Sequence, residues 1–313
     1  MPGVLQSSWV GRRVSVRRVL RREPDGRLTQ GDVVGELAGL DAQTAVIEAR
    51  SGLVEVPVAL VTAARIAPPS TADELSLDGV VAEGLRPAEA ERLGGWVLRA
   101  DAGFTRRANS ILPLRQLGMP LEAALGRARG WYRQRGLPLR IQVPVEARRL
   151  LDAELGERGW PADARTHVLT ARLDALRAPA ADPPLAAVSP VPDDGWLALY
   201  RGGAGLEPAA RALLTRHVHL GFASIQVDGR TVAVARGAVD QRWLGVMAVE
   251  VDPAFRRQGL ATAVTAALWT WGRTQGAVRS YLTVLADNEP ARALYEKLGY
   301  WSHHEYQYRT EPE

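Results

Sequence analysis

Apolar positions change their spacing along the chain. Between residues 9 and 67 they alternate with polar ones: Val14 and Val16 stand among Arg13, Ser15 and Arg17, the period-2 pattern of a half-buried strand. Pro24-Asp25-Gly26 marks a turn, and apolar runs follow near 33–40, 44–49 and 53–61, with Ile66 just before Pro68-Pro69. This predicts about five short strands and a small all-β barrel over residues 1–70. From about residue 78 the pattern becomes a mixture of helical and strand spacings.

The second half of that mixture is the more legible. Ala178 to Asp194 contains Pro179, Pro183, Pro184, Pro190 and Pro192 among alanines, the composition of a semi-rigid spacer. Residues 185–189 within it are a candidate strand. Two short helices are expected over 196–200 and 208–216. A hairpin follows over 221–227 and 231–239, turned at Asp228-Gly229. A third strand, 243–251, completes an antiparallel meander. After Asp252-Pro253, the run Arg256-Arg257-Gln258-Gly259-Leu260-Ala261-Thr262 opens a helix. A strand at 281–285 and a helix from Asn288 through Tyr295, closed by Leu298-Gly299-Tyr300, end the pattern.

The first half repeats it. Trp131, Gly136, Gly159 and Trp160 fall a constant 140 residues before Trp271, Gly276, Gly299 and Tyr300, and Arg115-Gln116-Leu117-Gly118 stands opposite Arg256-Arg257-Gln258-Gly259. The copies share the residues that end helices and fill cores, and differ in polar groups. Pro120 replaces Ala261 and lacks the N–H of a loop donor. Leu155 stands in place of Tyr295, and Pro144-Val145-Glu146 in place of the segment holding Asn288. The first copy is therefore expected to be degenerate, kept for packing or for shaping a substrate cleft.

A basic, glycine-containing turn between a strand end and a helix start is an anion cradle. The first N–H groups of the helix have no intrahelical partners, its dipole favours negative charge, and glycine admits a close ligand. With its companions, the segment from Val246 to Tyr300 resembles the GNAT family of acetyl-CoA-dependent N-acyltransferases. Arg256, Gly259 and Ala261 match the family's pyrophosphate loop; Asn288, Tyr295 and Leu298-Gly299-Tyr300 match its second signature. The resemblance implies an α+β chain in three parts. These are an SH3-like β-barrel over 1–70, a degenerate GNAT-like domain over 71–177 and a catalytic GNAT domain over 178–313, the last with a mixed, mostly antiparallel sheet flanked by helices.

By the same resemblance, acetyl-CoA is the donor. Its pyrophosphate lies on Arg256, Arg257, Gln258, Gly259, Leu260, Ala261 and Thr262, and Asn288 and Ala291 border it. Its pantetheine arm lies along Val249 and Val251, where that strand splays from its neighbour. Tyr295 gives a proton to the leaving thiolate. The general base stays open among Glu250, Asp240, His217 and His219, or a water relay; Glu250 adjoins the cofactor strand. An N-terminal barrel with two GNAT halves also resembles a bacterial histone-acetyltransferase-like family. A protein lysine is therefore one candidate acceptor, beside small amines.

Composition narrows the alternatives. The chain of 313 residues has no cysteine, which excludes disulfides, thiolate nucleophiles and cysteine-held zinc. No apolar run is long enough for a membrane span and no signal core opens the chain, so a cytoplasmic protein is expected. A net charge of +4 is too mild to imply nucleic acid. The cluster Arg12, Arg13, Arg17, Arg18, Arg21 and Arg22 reads chiefly as a solvated strand face offset by Asp32, Glu36, Asp41, Glu48 and Glu55, for it lacks interleaved aromatics. It leaves an alternative in which the chain is a non-catalytic regulator that senses acyl-CoA or binds nucleic acid through the barrel. His217-x-His219 lacks a third metal ligand at suitable spacing, and no metal is expected. His303-His304 reads as strand-edge decoration, and residues 201–205 as a flexible loop near the acceptor.

Overall fold

The computed structural model describes residues 5–177, 186–200 and 207–312. The prolines at 179, 183 and 184 and the loop at 201–205 lie outside the described residues. The chain divides into two compact units between Ser70 and Thr71.

The first unit has strands β1 (Arg13–Arg22), β2 (Leu28–Leu40), β3 (Thr44–Ala49), β4 (Gly52–Pro57) and β5 (Val61–Ile66). They form an antiparallel sheet in the order β4-β3-β2-β1-β5. The run expected as one strand near 53–61 is two. Pro57, with φ fixed and no N–H to donate, ends β4, and a 3-10 turn at Val58–Leu60 leads into β5. Val14, Val16, Leu37, Ala45, Ile47 and Val56 are fully buried. Among the described residues no pairing joins β4 to β5, so the sheet stays open where a closed barrel was expected. The basic strand meets carboxylates of its own sheet. Arg17 lies opposite Asp32 and donates to it from Nε and Nη2 at 2.8 and 3.0 Å. Arg21 stands 3.8 Å from Glu23. Such exposed pairs contribute about 0–1 kcal/mol each.

The second unit starts with α1 (Thr71–Glu83) and the hairpin β6 (Glu89–Leu93) and β7 (Trp96–Ala100). Next come α2 (Leu121–Arg133), β8 (Arg140–Pro144), α3 (Arg149–Glu157) and β9 (Ala162–Arg172). Its later half holds β10 (Ala187–Ser189), α4 (Asp194–Leu199), α5 (Pro208–Thr215), β11 (Leu220–Val227), β12 (Arg230–Asp240) and β13 (Trp243–Val251). It closes with α6 (Leu260–Thr274), β14 (Arg279–Leu285), α7 (Glu289–Lys297) and β15 (Trp301–Thr310). Local chemistry sets several boundaries. The Asp193 carboxylate caps α4 by accepting the Trp196 N–H at 2.6 Å, and Asn288 caps α7 by accepting from Ala291 at 3.2 Å. Gly118, Gly136 and Gly159 hold φ of +76°, +64° and +78°, and their counterparts Gly259, Gly276 and Gly299 hold +79°, +83° and +103°. The backbone thus repeats at the positions where the sequence repeats.

One mixed sheet runs through both halves in the order β10-β11-β12-β13-β14-β9-β15-β8. The sequence repeat alone does not anticipate this. β9 closes the first half, yet it lies between β14 and β15 of the second; β15 in turn lies between β9 and β8 of the first. All three pairings are antiparallel, with Leu282 opposite Leu169, Glu305 opposite His167 and Gln307 opposite Val143. Each half thus lends its last strand to the other. In the first half the meander shrinks to the hairpin β6–β7 and two isolated bridges, Val97 to Leu112 and Ile111 to Ile141.

The two faces of the sheet are buried differently. Leu244, Val246, Leu282 and Val284 meet α6 and α7 through Val264, Leu268, Trp269 and Tyr295. On the opposite face, Tyr281, Val168, Tyr306 and Tyr308 meet Leu77, Val80 and Val81 of α1, while Phe222, Val234 and Ala238 meet Trp196 and Leu214 of α4 and α5. No helix among the described residues is long and apolar enough to cross a membrane. The strand exchange predicts that residues 186–313 expressed alone, without β9, are insoluble or molten by near-UV circular dichroism. Co-expression with residues 71–177 should restore a folded complex; a folded, monomeric 186–313 would contradict the exchange.

Candidate active site

The sheet opens where β13 leaves β14. Their parallel pairing runs from Trp243–Arg279 to Val246–Leu282 and stops, because β14 continues along β9 while β13 bends away. The bend has a local cause. On β13, Ala248 and Val249 oppose the single residue Ala235 of β12, between the pairs Arg236–Met247 and Val234–Glu250. This is a β-bulge, and Ala248 takes a φ of +54° to make it. A non-glycine residue there costs on the order of 1–3 kcal/mol, which the surrounding sheet must offset. After the bulge, Val249 and Val251 pack on the α6 side, while Glu250 alternates to the face of α4 and α5 and is half-buried.

The loop leaving β13 is held at its base. The Asp252 carboxylate accepts from the Ala254 N–H at 2.9 Å and pairs with Arg230, and Phe255 N–H bonds to the Asp252 carbonyl at 2.9 Å. Arg257 and Gly259 both have positive φ, +61° and +79°, which turns the chain into α6. Arg256, Arg257, Gln258 and Gly259 are exposed, and the space where a Gly259 side chain would stand is open. Leu260 begins the helix, and its first internal bond is Ala263 N–H to Gly259 O at 3.0 Å. The N–H groups of Leu260, Ala261 and Thr262 therefore precede the intrahelical ladder. No acidic residue occupies the first turn of α6. This arrangement fits a pyrophosphate.

The corresponding place in the first half is also concave, a cleft of about 570 Å³ lined by Arg115, Gln116, Leu117, Arg148 and Arg149. Glu146 and Glu154 stand on its wall, and Pro120 takes the cap position of α2. This cleft thus has mixed charge, with Glu154 paired to Arg158, whereas the first turn of α6 carries no acidic residue.

Tyr295 sits in the last turn of α7, 6% exposed, its ring edge-on to Tyr300 at 5.8 Å. Burial pushes its pKa up to about 12, and a hydrogen bond to Thr265 partly opposes this. The Thr265 hydroxyl donates to the Ala261 carbonyl at 2.7 Å, which leaves its lone pairs to accept from Tyr295. Tyr300 is locked in place: its hydroxyl accepts from Trp269 Nε1 at 2.9 Å and lies 2.7 Å from Ser280 Oγ. The two tyrosines thus tie α6, α7 and β14 together behind the opening.

The remaining candidates separate. His217 is 5% exposed; its Nδ1 accepts the His219 N–H at 3.1 Å, and its Nε2 has no partner among the described residues. Burial, then Arg86 and Arg236, push its pKa down to about 4 against the opposing pull of Asp240. Asp240 lies 4.0 Å from Arg86. His303 and His304, read from sequence as strand-edge residues, stand in β15 where it pairs with β9 alone, since β8 joins only from Tyr306 onward. His303 falls in a register shift of that pairing, while His304 is buried on α1, with Nε2 3.3 Å from Asp78 Oδ1.

Sequence reasoning overlooked two cations on the opposite face. Arg236 of β12 is fully buried, and Arg107, from the loop after β7, donates to Thr283 Oγ1 at 2.8 Å. A lone arginine inside the apolar run Thr231 to Val239 was the one available signal.

A sheet that opens beside an uncompensated helix start is the architecture of the GCN5-related N-acetyltransferases, the GNAT class. Comparison with known proteins agrees. A family described as "Probable histone acetyltransferase Rv0428c C-terminal" matches residues 71–309, and the chain belongs to it. The chain is 31% identical over 318 residues to the probable histone acetyltransferase Rv0428c of Mycobacterium tuberculosis (strain ATCC 25618 / H37Rv), across 96% of each. Among solved structures it resembles a GCN5-related N-acetyltransferase from Kribbella flavida, with TM-score 0.57 and 21% identity over 76% of this chain and 95% of that one. A tandem GNAT protein from the clavulanic acid biosynthesis pathway aligns with TM-score 0.51 and 13% identity, over 79% and 89%. The chain is an N-acetyltransferase of the GNAT kind, and such enzymes take their acetyl group from acetyl-CoA.

The His217 environment sets a sign for acid stability. Its folded pKa of about 4 lies below the unfolded value near 6.5, so acidification favours the unfolded chain, which binds the proton first. The stabilisation is complete above pH 6.5 and is lost as the pH falls towards 4. His217→Phe should therefore flatten the fall in Tm between pH 6.5 and 4, read by thermal melts. An unchanged slope would refute the assignment.

Proposed function

We propose that this enzyme moves an acetyl group directly from acetyl-CoA to a primary amine in a ternary complex, in its second half. The observation that carries this reading is the opening after Val246–Leu282, which adjoins the unpartnered N–H groups of α6 on one side and Glu250 on the other. Those N–H groups and the exposed Arg256 and Arg257 take the pyrophosphate, with Gln258, Gly259, Leu260, Ala261 and Thr262 forming the cradle. The backbone of Val249 and Val251 takes the pantetheine amides. Asn288 holds the start of α7, and Ala291 borders the cofactor.

In the reaction, the amine nitrogen bonds to the thioester carbon as the carbon–sulfur bond breaks. The nitrogen's proton passes to Glu250, directly or through a water, and the departing thiolate is met by Tyr295. A tyrosine with a pKa of about 12 is fully protonated at neutral pH. A thiol titrates near 8.5, so complete proton transfer from this tyrosine is uphill by roughly 3–4 pK units, or about 5 kcal/mol. Tyr295 thus acts first as a hydrogen-bond donor to charge developing on sulfur. To do so its hydroxyl must turn from Thr265. No cysteine is present to carry an acyl group, which favours direct transfer over a covalent intermediate.

The first half, 71–177, serves as the shaping copy, and a protein lysine or a small molecule supplies the amine. The sheet over 1–70, with its 3-10 turn before the last strand, suits an SH3-like accessory module.

Tyr295→Phe should lower kcat by about 10²-fold or more, while the Kd for acetyl-CoA, measured by calorimetry, changes less than about twofold. Thr265→Val should leave Tyr295 without its resting partner and change kcat far less. Glu250→Gln should lower kcat/KM for the amine and remove the acidic limb of its pH profile. Unchanged turnover in both Tyr295→Phe and Glu250→Gln would reject these roles.

A further inference from the structure

Two guanidinium groups lie near each other on the face of the sheet opposite α6, and neither forms an ion pair with a carboxylate among the described residues. Arg236 is fully buried. Its Nε donates to the Leu214 carbonyl at 2.7 Å, and its Nη1 to the Gly84 carbonyl at 2.9 Å and towards Met247 Sδ at 3.0 Å. The carbonyls stand at the ends of α5 and α1, where helix dipoles favour a cation, and this accounts for two of the three nitrogens. Nη2 has no partner among the described residues. Arg107 is half-buried and donates from Nη1 to Thr283. The groups facing it are the tyrosines Tyr200, Tyr281, Tyr306 and Tyr308. Tyr200 and Tyr281 face Arg236 as well, and Arg107 and Arg236 repel each other.

Two acids near Tyr281 are already engaged by an arginine. Glu83 and Asp240 bear on Tyr281, but Arg86 lies 3.1 Å from the first and 4.0 Å from the second. Desolvating two like charges side by side without an anion is unfavourable. The fold nevertheless holds Arg107 rigidly. Asn109 accepts from the N–H groups of Asp101 and Gly103 at 2.7 and 3.0 Å, and donates to the Asp101 and Thr105 carbonyls at 3.3 and 2.8 Å. Asp101 itself is 3% exposed and pairs with Arg216, just beyond α5. Below the two cations, Tyr281 is wedged: a side chain on Gly84 or Gly245 would come within 2.1 or 2.3 Å of its hydroxyl. Both glycines thus keep room for the ring that floors the site.

The position of this site relates it to the reaction. Thr283 is the first residue of β14 beyond the last pair with β13, and it shares the face of Tyr281 rather than that of Leu282. Arg107 is thus anchored at the mouth of the opening, on the side of Glu250 and away from the α6 cradle. An arginine fork there is fitted to a carboxylate or phosphate. The surroundings repel a cationic lysine-rich segment.

We infer that the acetyl acceptor is a small amine carrying its own carboxylate or phosphate, which seats on Arg107 from the first half with Arg236 behind it. The inference rests on the acetyl-transfer site proposed above and names its substrate class. Arg107 is then a specificity-determining residue supplied by the copy that lacks the cofactor chemistry.

Charge-matched acceptors test this in the full chain. Free amino acids would be compared with their carboxamides, phosphoethanolamine with ethanolamine, and all with a lysine-rich histone-tail peptide, following thiol release and product mass. In parallel, the N-acetyl products would be titrated by calorimetry into the protein saturated with CoA. The wild-type enzyme should prefer, and its product complexes should bind, the anionic member of at least one pair by about tenfold or more. Whether the carboxylate or the phosphate pair shows the preference identifies the anion. Arg107→Gln should bring the ratio close to one, and Arg107→Lys should keep part of it, a rescue that a merely structural role would not give. Should Arg107→Gln fail to fold by circular dichroism, the Arg107→Lys ratio and the wild-type pairs decide alone. Equal turnover and equal binding within every pair, or preferred acetylation of the histone-tail peptide, overturns the inference while leaving acetyl transfer intact. Failure of acetyl-CoA itself to bind overturns the donor site and this inference with it.

Discussion

The exchange of last strands between the two halves is the constraint from which the rest of the second unit follows. β9 supplies the neighbour that β14 needs once it has parted from β13, and β15 returns the same service to β8. A parallel pair that opens in mid-sheet leaves backbone groups without partners, which is costly in a protein interior. Here the cost is confined to one edge, because β14 stays hydrogen-bonded to β9 along its whole length, from Arg279 to Leu285. The opening is therefore a fixed feature of the sheet. Duplication gives each half a closing strand that it could not place by itself.

From that opening the chemistry divides by face. On the α6 side lie the cradle loop and the apolar residues Val249, Val251 and Leu260, with Tyr295 and Tyr300 behind them. On the other lie Glu250, Tyr281, Thr283 and the arginines Arg107 and Arg236, neither in an ion pair among the described residues. The bulge at Ala248 makes this division possible by shifting the alternation of β13 by one residue. Charge follows the same division. The start of α6 carries exposed arginines and no acidic residue in its first turn, and Arg107 and Arg236 add positive charge on the opposite face. The loop after β7, fixed by Asn109 and Asp101, gives the first half a stake in the second half's site although its own cleft carries Glu146 and Glu154.

The sequence by itself determined much. The meander over 220–251, the turn and helix start from Arg256 to Thr262, the Asn288 cap and the paired glycines could be read because each depends on short-range rules: period-2 burial, a two-residue turn, a helix start, a positive φ. The α+β class and the membership in an acetyltransferase family were legible for the same reason. Where short-range rules stop, so did the reading. Pro57 divided a strand expected to be continuous, and the N-terminal sheet stayed open, since barrel closure depends on whether two distant edges meet.

Only the tertiary structure decided that β9 lies between β14 and β15, for no local pattern distinguishes an exchanged strand from one paired within its own half. The packing of the two halves also set His304 against Asp78 of α1 and brought Thr283 beneath Arg107, which precedes it by 176 residues. A buried charge is recognised by what fails to surround it, and a sequence does not display absences in space. The loop glycine, the cap and the tyrosine were written along the chain; the contact of Arg107 with Thr283 arises where two halves of that chain meet.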